Sequence, residues 1–67
     1  MTHYGRRLKE LIEWKGENKS AVADAIGIQR TYLYRQFKER FPDLKVCCDS
    51  LEYMRLPISA LFSERDL

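Results

Sequence analysis

The sequence predicts an all-α protein folded as a compact five-helix bundle, and three observations lead to this prediction. Apolar residues recur at intervals of three and four, no segment alternates with the period of two typical of a strand, and no Asn-Gly or Asp-Gly pair indicates a hairpin. With 67 residues, 45% of them hydrophobic, the chain has room for one core and is too apolar for a disordered segment. We therefore expect a single domain over residues 1–67, with a frayed tail at about 63–67.

Two helices are predicted before residue 28. The first, over about Thr2 to Lys15, precedes Gly16, a residue type that commonly ends helices. The second is capped by Asn18 and ends at Gly27. The apolar stripes contain Tyr4, Leu8, Leu11, Ile12 and Lys15 in the first helix and Ala21, Val22, Ala25 and Ile26 in the second, where Ala23 is small enough for close packing.

The third helix is expected to begin near Gln29 and to end at about Arg40. Phe41 precedes Pro42, and a residue before proline is driven towards extended geometry, so the helix should not continue. Residues one turn apart define an apolar inner face and leave a polar outer face. The inner residues are Leu33 and Phe37, and the outer residues are Arg30, Thr31, Tyr34, Arg35 and Lys38.

Two more helices are predicted in the last third of the chain. The fourth begins at residue 42 or 43 and ends at residue 53 or 54, and Pro57 suits the first turn of a short fifth helix. Cys47 and Cys48 are adjacent, so on a helix they point about 100° apart and pack as small hydrophobes rather than as a disulfide. The apolar positions are Leu44, Cys47, Cys48, Leu51 and Met54, followed by Ile58, Leu61 and Phe62.

Positive charge is concentrated in the middle of the chain. The net charge is +2, yet residues 28–41 contain four basic residues and one acidic residue, a net charge of +3. Residues 1–27 have five basic and four acidic residues, and residues 42–67 have three basic and five acidic residues. A local positive field beside a polar helix face suits a polyanion better than a membrane surface.

Other classes of function lack the residues that they need. No apolar run approaches the roughly 18 residues that span a bilayer, and a signal-peptide core is absent from the start, which predicts a cytoplasmic protein. One histidine and no acidic or cysteine cluster at ligand spacing predict no metal and no cofactor. Without a phosphate-binding glycine loop or a nucleophile beside a base, we expect neither an enzyme nor a small-molecule substrate.

The turn at Gly27 indicates a function for the polar face of the third helix. Two short helices joined by a tight turn, the second one basic outside, form a helix-turn-helix, whose second helix enters the DNA major groove. Arginine donates two parallel hydrogen bonds to guanine, and threonine contacts a base edge or a thymine methyl group. Arg30, Thr31, Tyr34 and Arg35 occupy suitable positions near the helix N-terminus.

Three segments, GRRLKELIEWKG, KSAVADAIGIQRTYLYRQF and LPISALF, resemble the Cro/repressor-type (XRE-like) helix-turn-helix regulators of bacteria and phages over almost the whole chain. Ala23 and Gly27 stand at the small-residue positions of that family. The resemblance implies a lambda-repressor-like DNA-binding fold, in which the third helix reads bases and the start of the second contacts phosphate. It also implies a transcriptional repressor or regulator in the bacterial cytoplasm or nucleoid, with double-stranded DNA as its partner.

Carried onto this sequence, the resemblance assigns roles residue by residue. Gln29, Arg30, Thr31, Tyr34 and Arg35 are expected to contact bases, and Asn18, Lys19, Tyr32, Lys38 and Arg40 to contact the DNA backbone. A homodimer on a two-fold operator is expected, because one helix reads only about four to six base pairs. The expected dimer surface consists of Ile58, Leu61 and Phe62.

A second class of function fits the same bundle: a protein-binding module, such as an antitoxin or a phage inhibitor of a host protein. The two hypotheses differ in whether the outer face of the third helix or an apolar surface carries the activity. Trp14 and Phe62 are the residues that bear on the second hypothesis, and we expect Trp14 to pack within the bundle. His3 is expected to be a flexible terminal residue, because no catalytic partner stands at a suitable spacing.

Overall fold

Five helices follow one another in the computed structural model, which describes residues 2–62. No strand occurs among these residues, so the prediction of an all-α chain with five helices is confirmed for them. The frayed tail expected at 63–67 lies outside the described residues. The helices are α1 (Tyr4–Trp14), α2 (Lys19–Ile26), α3 (Arg30–Lys38), α4 (Leu44–Tyr53) and α5 (Ser59–Phe62).

The first two helices begin at side chains that accept hydrogen bonds from free backbone amides. In α1 the Nδ1 atom of His3 accepts from the amide of Arg6 at 2.9 Å, so the helix starts at residue 4 rather than at residue 2. In α2 the side-chain oxygen of Asn18 accepts from the amides of Ser20 and Ala21 at 2.8 and 3.2 Å. The expectation that Asn18 caps α2 is confirmed, whereas His3 is a helix cap and not a flexible terminal residue.

Three of the helices end in the same hydrogen-bonded turn, with one residue in the left-handed conformation. The residue after it donates its amide to a carbonyl one turn back in the helix, which satisfies an otherwise free acceptor. The left-handed residues are Gly16 (φ 72°), Gly27 (φ 79°) and Arg55 (φ 58°), and the bonds join Glu17 to Ile12, Ile28 to Ala23 and Leu56 to Leu51. The turn at Gly27 leaves only two residues between it and α3, as the sequence predicts.

The start of α1 is joined to the end of α3 by the backbone. The amides of Tyr4 and Gly5 donate to the carbonyls of Arg40 and Glu39 at 3.0 and 3.1 Å. These carbonyls point towards α1 and take no part in a helix, so α3 ends at Lys38, two residues before the predicted end. Because Gly5 has no side chain, the two helices approach closely enough for these bonds to form.

One core is shared by all five helices, with α1 packed on α3 and α5, and α2 packed on α3 and α4. Burial of these apolar side chains is the main force that stabilises the bundle. The buried apolar residues are Leu8, Leu11, Ile12, Val22, Ala23, Leu33, Phe37, Val46, Cys47, Leu51, Met54 and Leu61. The chain is compact, with a radius of gyration of 10.6 Å.

Some predicted core positions are wrong. Ala21 and Ala25 are exposed, because α2 turns Val22 and Ala23 inwards. Leu44 is 63% exposed at the first position of α4. Val46, two residues later in α4, is buried in its place.

Two predictions near helix ends also fail. Trp14 is 54% exposed at the last position of α1 and is not a bundle residue. Pro57 lies before α5 rather than within its first turn, and its carbonyl accepts from the amide of Ala60 at 3.0 Å. A short turn around Ile58 therefore leads into α5.

Candidate nucleic-acid interface

Helix α3 separates a buried face from a polar exposed face. Leu33 and Phe37 are buried, one turn apart, and fix the helix to the core. Five polar residues predicted for the outer face are exposed: Arg30, Thr31, Tyr34, Arg35 and Lys38. Gln29, immediately before the helix, is exposed as well. The outer face thus presents guanidinium, ammonium, amide and hydroxyl groups, all of which donate hydrogen bonds.

Arg30 forms one ion pair across the turn at Gly27. Its Nη2 atom lies 3.4 Å from Oδ2 of Asp24, and both side chains are more than half exposed. An exposed pair of this kind contributes little to stability and is readily exchanged for another anion or acceptor. The guanidinium of Arg30 is therefore available to a ligand at the N-terminus of α3.

The start of α2 lies beside the middle of α3. The hydroxyls of Ser20 and Tyr34 are 3.5 Å apart, at the long end of a hydrogen bond. Lys19 contacts Oε2 of Glu13 at 3.0 Å, and this hydrogen bond lowers the pKa of the Glu13 carboxyl. Lys19, predicted to contact the DNA backbone, is therefore paired within the chain at an accessible position.

Tyr32 lies at the junction of α3 and α4. Its hydroxyl donates to Oδ2 of Asp43 at 3.0 Å, and the amide of Asp43 donates to Oε1 of the buried Gln36 at 2.8 Å. The other carboxyl oxygen of Asp43 accepts from the amide of Lys45, as an N-cap of α4. The bond to Asp43 raises the pKa of the Tyr32 hydroxyl and lowers the pKa of the carboxyl. Tyr32 thus has a structural contact at the position predicted for backbone binding.

A positively charged depression lies where α1, the start of α2 and α3 meet. We call this depression, which has a volume of about 530 Å³, the basic depression. It is lined by His3, Arg6, Lys9, Lys19, Tyr34, Phe37 and Lys38. Lys19 and Lys38 were predicted as contacts. Arg6 and Lys9 were not, because residues 1–27 have five basic and four acidic residues and so a net charge of only +1, and His3 was expected to be a flexible terminal residue. Arg6 and Lys9 lie one turn apart on α1, and this spacing is the local signal that could have suggested a shared surface.

The predicted dimer residues lie at different depths. Leu61 is only 2% exposed and belongs to the core, so it is not available to a second copy. Ile58 is exposed, and the exposed ring of Phe62 packs edge-on against Tyr4, with 5.4 Å between ring centroids. Arg40, predicted as a backbone contact, lies with its guanidinium 5.9 Å from the ring centroid of Phe41.

An exposed apolar surface extends beyond these predicted dimer residues. Phe41, Leu44 and Phe62 are 71%, 63% and 52% exposed, respectively. They border one shallow cavity together with the Tyr4 ring, whose centroid lies 5.9 Å from that of Phe41. We call Tyr4, Phe41, Leu44 and Phe62 the aromatic patch. A contiguous exposed patch of large apolar side chains is typical of a surface that contacts another molecule.

Comparison with known proteins gives no relative from which a function could be taken. No protein family, curated protein or solved structure matches the chain. Function is therefore inferred from the geometry of the described residues.

Residues 2–62 contain neither a candidate metal site nor a membrane-spanning helix. No group of three or more His, Cys, Asp or Glu side chains within this range could hold a metal ion. None of the helices in this range is long and apolar enough to cross a membrane.

The two cysteines are free thiols in different environments. Cys47 is buried in the core, and burial raises the pKa of its thiol to about 11. The thiolate is the reactive form of cysteine, so Cys47 is unreactive at neutral pH and packs as a small hydrophobe. Cys48 is half-buried.

Proposed function

We propose that this chain is a sequence-specific DNA-binding regulator, in which α2 and α3 form a helix-turn-helix and α3 enters the major groove. The observation that carries the proposal is the exposed outer face of α3. Its arginines, hydroxyls and amide are the groups that read base edges, while the opposite face is anchored in the core. Gln29, Arg30, Thr31, Tyr34 and Arg35 are the proposed base-contacting residues.

Charges beside α3 support the same proposal. Lys19 is the first residue of α2, next to the exposed Ser20–Tyr34 contact, and Lys38 is the last residue of α3. Phosphate contacts fix the orientation of a protein on DNA, whereas base contacts specify the sequence. Lys19 is paired with Glu13, and on binding it would exchange this exposed carboxylate for a phosphate.

The first test is selection of binding sites from random duplex DNA at near-physiological salt. We expect the wild-type protein to enrich one sequence motif, and the double variant Arg30→Ala, Arg35→Ala to lose it. The control double variant Lys15→Ala, Lys45→Ala removes two positive charges outside the proposed reading face and should enrich the wild-type motif. If all three proteins enrich no motif, or the same motif, α3 does not read DNA sequence.

We further propose that two copies bind a two-fold operator through contact between their aromatic patches. The Cα atoms of one chain extend over 28 × 22 × 17 Å. Side chains add roughly 3 Å beyond the backbone at each end, so the longest dimension approaches the ~34 Å that separates half-sites one DNA turn apart. Copies bound at such half-sites with their longest dimension along the DNA would therefore lie close enough to touch.

The size of the aromatic patch predicts weak pairing. Phe41, Leu44 and Phe62 together expose about 350 Å² if a whole aromatic side chain contributes about 200 Å². Two copies would bury about 700 Å² of such surface, well below the ~1,200 Å² at which stable interfaces begin. We therefore propose that the chain is monomeric in free solution and pairs when DNA holds two copies side by side.

A protein-binding module is the second candidate function, and the exposed apolar side chains favour it. Trp14 and Phe41 are exposed by more than half, and tryptophan and phenylalanine are enriched at protein interfaces. This candidate predicts that Arg30→Ala, Arg35→Ala leaves the biological activity unchanged, whereas Trp14→Ser, which lies outside the aromatic patch, abolishes it. The regulator proposal predicts loss of activity with the arginine variants.

A further inference from the structure

We infer that the basic depression binds a phosphate group, and that this phosphate belongs to the DNA strand flanking the groove that α3 enters. The second half of this inference rests on the proposed function. It adds Arg6 and Lys9 of α1 to an interface that the proposed function confines to α2 and α3. Helix α1, which contacts no bases, would then bind the DNA strand at the edge of the groove.

Charge is the first reason. Four cationic side chains, Arg6, Lys9, Lys19 and Lys38, line the basic depression, and none of its seven lining residues is acidic. The carboxylate of Glu13 pairs with Lys19 at 3.0 Å, so the four cations exceed this one acidic partner. They come from three separate helices, so only the folded chain assembles them. Like charges held together repel one another, and a bound anion with several oxygen acceptors relieves this repulsion.

Rigidity is the second reason. Nδ1 of His3 accepts from the Arg6 amide, so the ring proton lies on Nε2, which donates to the carbonyl of Lys38 at 3.2 Å. This bond and the two backbone bonds from residues 4 and 5 hold the first turn of α1 against the end of α3. The backbone that carries Arg6 and Lys38 is therefore in place before a ligand arrives, which reduces the ordering cost of binding.

The position of Tyr34 favours DNA as the source of the phosphate. Tyr34 lines the basic depression and also belongs to the exposed outer face of α3. Its ring lies 6.0 Å from that of Phe37, which also lines the depression. A strand with a phosphate in the depression would pass directly beside the proposed base-contacting residues.

The test measures how DNA affinity depends on salt for the motif that wild-type protein selects. Each phosphate contact contributes about one unit to the slope of log K against log salt concentration. We expect Arg6→Gln and Lys9→Gln each to reduce the slope by about one unit and to leave sequence preference unchanged. Lys15→Gln is the matched control, because it removes one exposed charge at the end of the same helix without lining the depression.

Failure of this inference is distinguishable from failure of the proposed function. If the wild-type protein selects a motif but Arg6→Gln and Lys9→Gln behave like Lys15→Gln, the depression holds no strand and the regulator proposal stands. If Lys15→Gln reduces the slope as much as the other two, the salt dependence reflects the overall positive charge of the chain and not a specific phosphate site, and the inference is overturned.

If the wild-type protein selects no motif, titration with inorganic tripolyphosphate tests the phosphate site alone. Amide NMR shifts at residues 3, 6, 9 and 38 that disappear in the double variant Arg6→Gln, Lys9→Gln would support a site for a free polyphosphate. Absence of shifts, or equal shifts in the double variant, would overturn the phosphate site together with the DNA proposal.

Discussion

Gly5 is a residue whose importance comes from a neighbouring backbone. A methyl group at this position would overlap the carbonyl oxygens of Gln36, Phe37 and Glu39. Backbone carbonyls cannot rotate away as a side chain can, so any larger residue must separate α1 from α3. The backbone bonds that join these helices would then be lost.

We therefore predict that Gly5→Ala lowers the free energy of unfolding by about 3 kcal/mol, at the upper end for an overpacked site. Denaturant titration monitored by helical circular dichroism would measure the change. Glu10→Ala, an exposed position on the same helix, should stay within about 0.5 kcal/mol of wild type. A cost below about 1 kcal/mol for Gly5→Ala would contradict the close packing described here.

At the scale of helices, the end of α4 contains a strained residue. Arg55 adopts φ 58°, whereas the corresponding residues after α1 and α2 are glycines. The left-handed conformation is unfavourable for a residue with a Cβ atom and easy for glycine. The turn after α4 is therefore stable only because the helix and the following chain hold it.

Arg55→Gly should raise the free energy of unfolding by about 0.5–1 kcal/mol, since it removes this strain at the cost of some unfolded-chain entropy. Thermal unfolding would detect the change as an increase of roughly 2–8 °C in Tm. Arg55→Ala removes the same charge without relieving the strain and should not give the increase. Equal stabilisation by both variants would assign the effect to charge instead.

The junction between α3 and α4 should make stability depend on pH. The bond from Tyr32 lowers the pKa of Asp43 in the folded chain. A carboxyl with a lowered folded pKa stabilises the fold above its unfolded pKa, near pH 4, and this contribution is lost as pH falls through the folded value. The pKa of Tyr32 is raised in the folded chain, so its contribution to stability is present below about pH 10 and is lost as the pH rises above that value.

We predict that Tyr32→Phe is less stable than wild type at pH 7 and that the difference shrinks as the pH falls below about 4. Thermal unfolding of both proteins from about pH 7 down to about pH 2 would show their stabilities converging as the pH falls. Tyr53→Phe is a suitable control, because Tyr53 is an exposed tyrosine that forms no hydrogen bond to a carboxylate within residues 2–62. Parallel curves for Tyr32→Phe and wild type would show that the Tyr32–Asp43 bond is not linked to titration.

The order and type of the helices could be predicted from sequence, because both depend on local patterns. Spacing of apolar residues, the Asn18 cap and the Gly27 turn are readable within a few residues. The end of α3 could not be predicted, because its last carbonyls bond to amides some 35 residues away in sequence. Likewise, nothing local distinguishes the buried Val46 from the exposed Leu44.

At the scale of the whole molecule, the candidate site was only partly predictable. The outer face of α3 follows from helical periodicity once Leu33 and Phe37 are assigned to the core. Arg6 and Lys9 were missed because the positive and negative charges of residues 1–27 nearly cancel in total. The net charge of a segment does not show that a helix can place its basic residues on one face. Their approach to Lys38 depends on how α1 crosses α3, which is a property of the fold.

The aromatic patch leads to a prediction about assembly. Phe41→Ser should leave binding to a single half-site unchanged and should abolish cooperative binding to a two-half-site duplex, because paired copies would lose their most exposed apolar contact. Quantitative gel-shift titrations on the two duplexes would measure both quantities. Tyr53→Ser, which changes an exposed aromatic residue outside the patch, should retain cooperativity.

Sedimentation supplies the complementary measurement. Wild-type protein should be monomeric at tens of micromolar without DNA, in agreement with the small area of the patch. A stable dimer in free solution, or cooperative DNA binding by Phe41→Ser, would place the contact between copies on another surface.

The backbone junction between α1 and α3 also determines which amides exchange their protons with water. Amides in the first turn of a helix lack partners within that helix and ordinarily exchange quickly. Here the amides of Tyr4 and Gly5 are bonded to Arg40 and Glu39, so their exchange requires α1 to separate from α3. In deuterated solvent these two amides should persist as long as those of the core, and they would serve as a natural reporter of opening of the whole bundle.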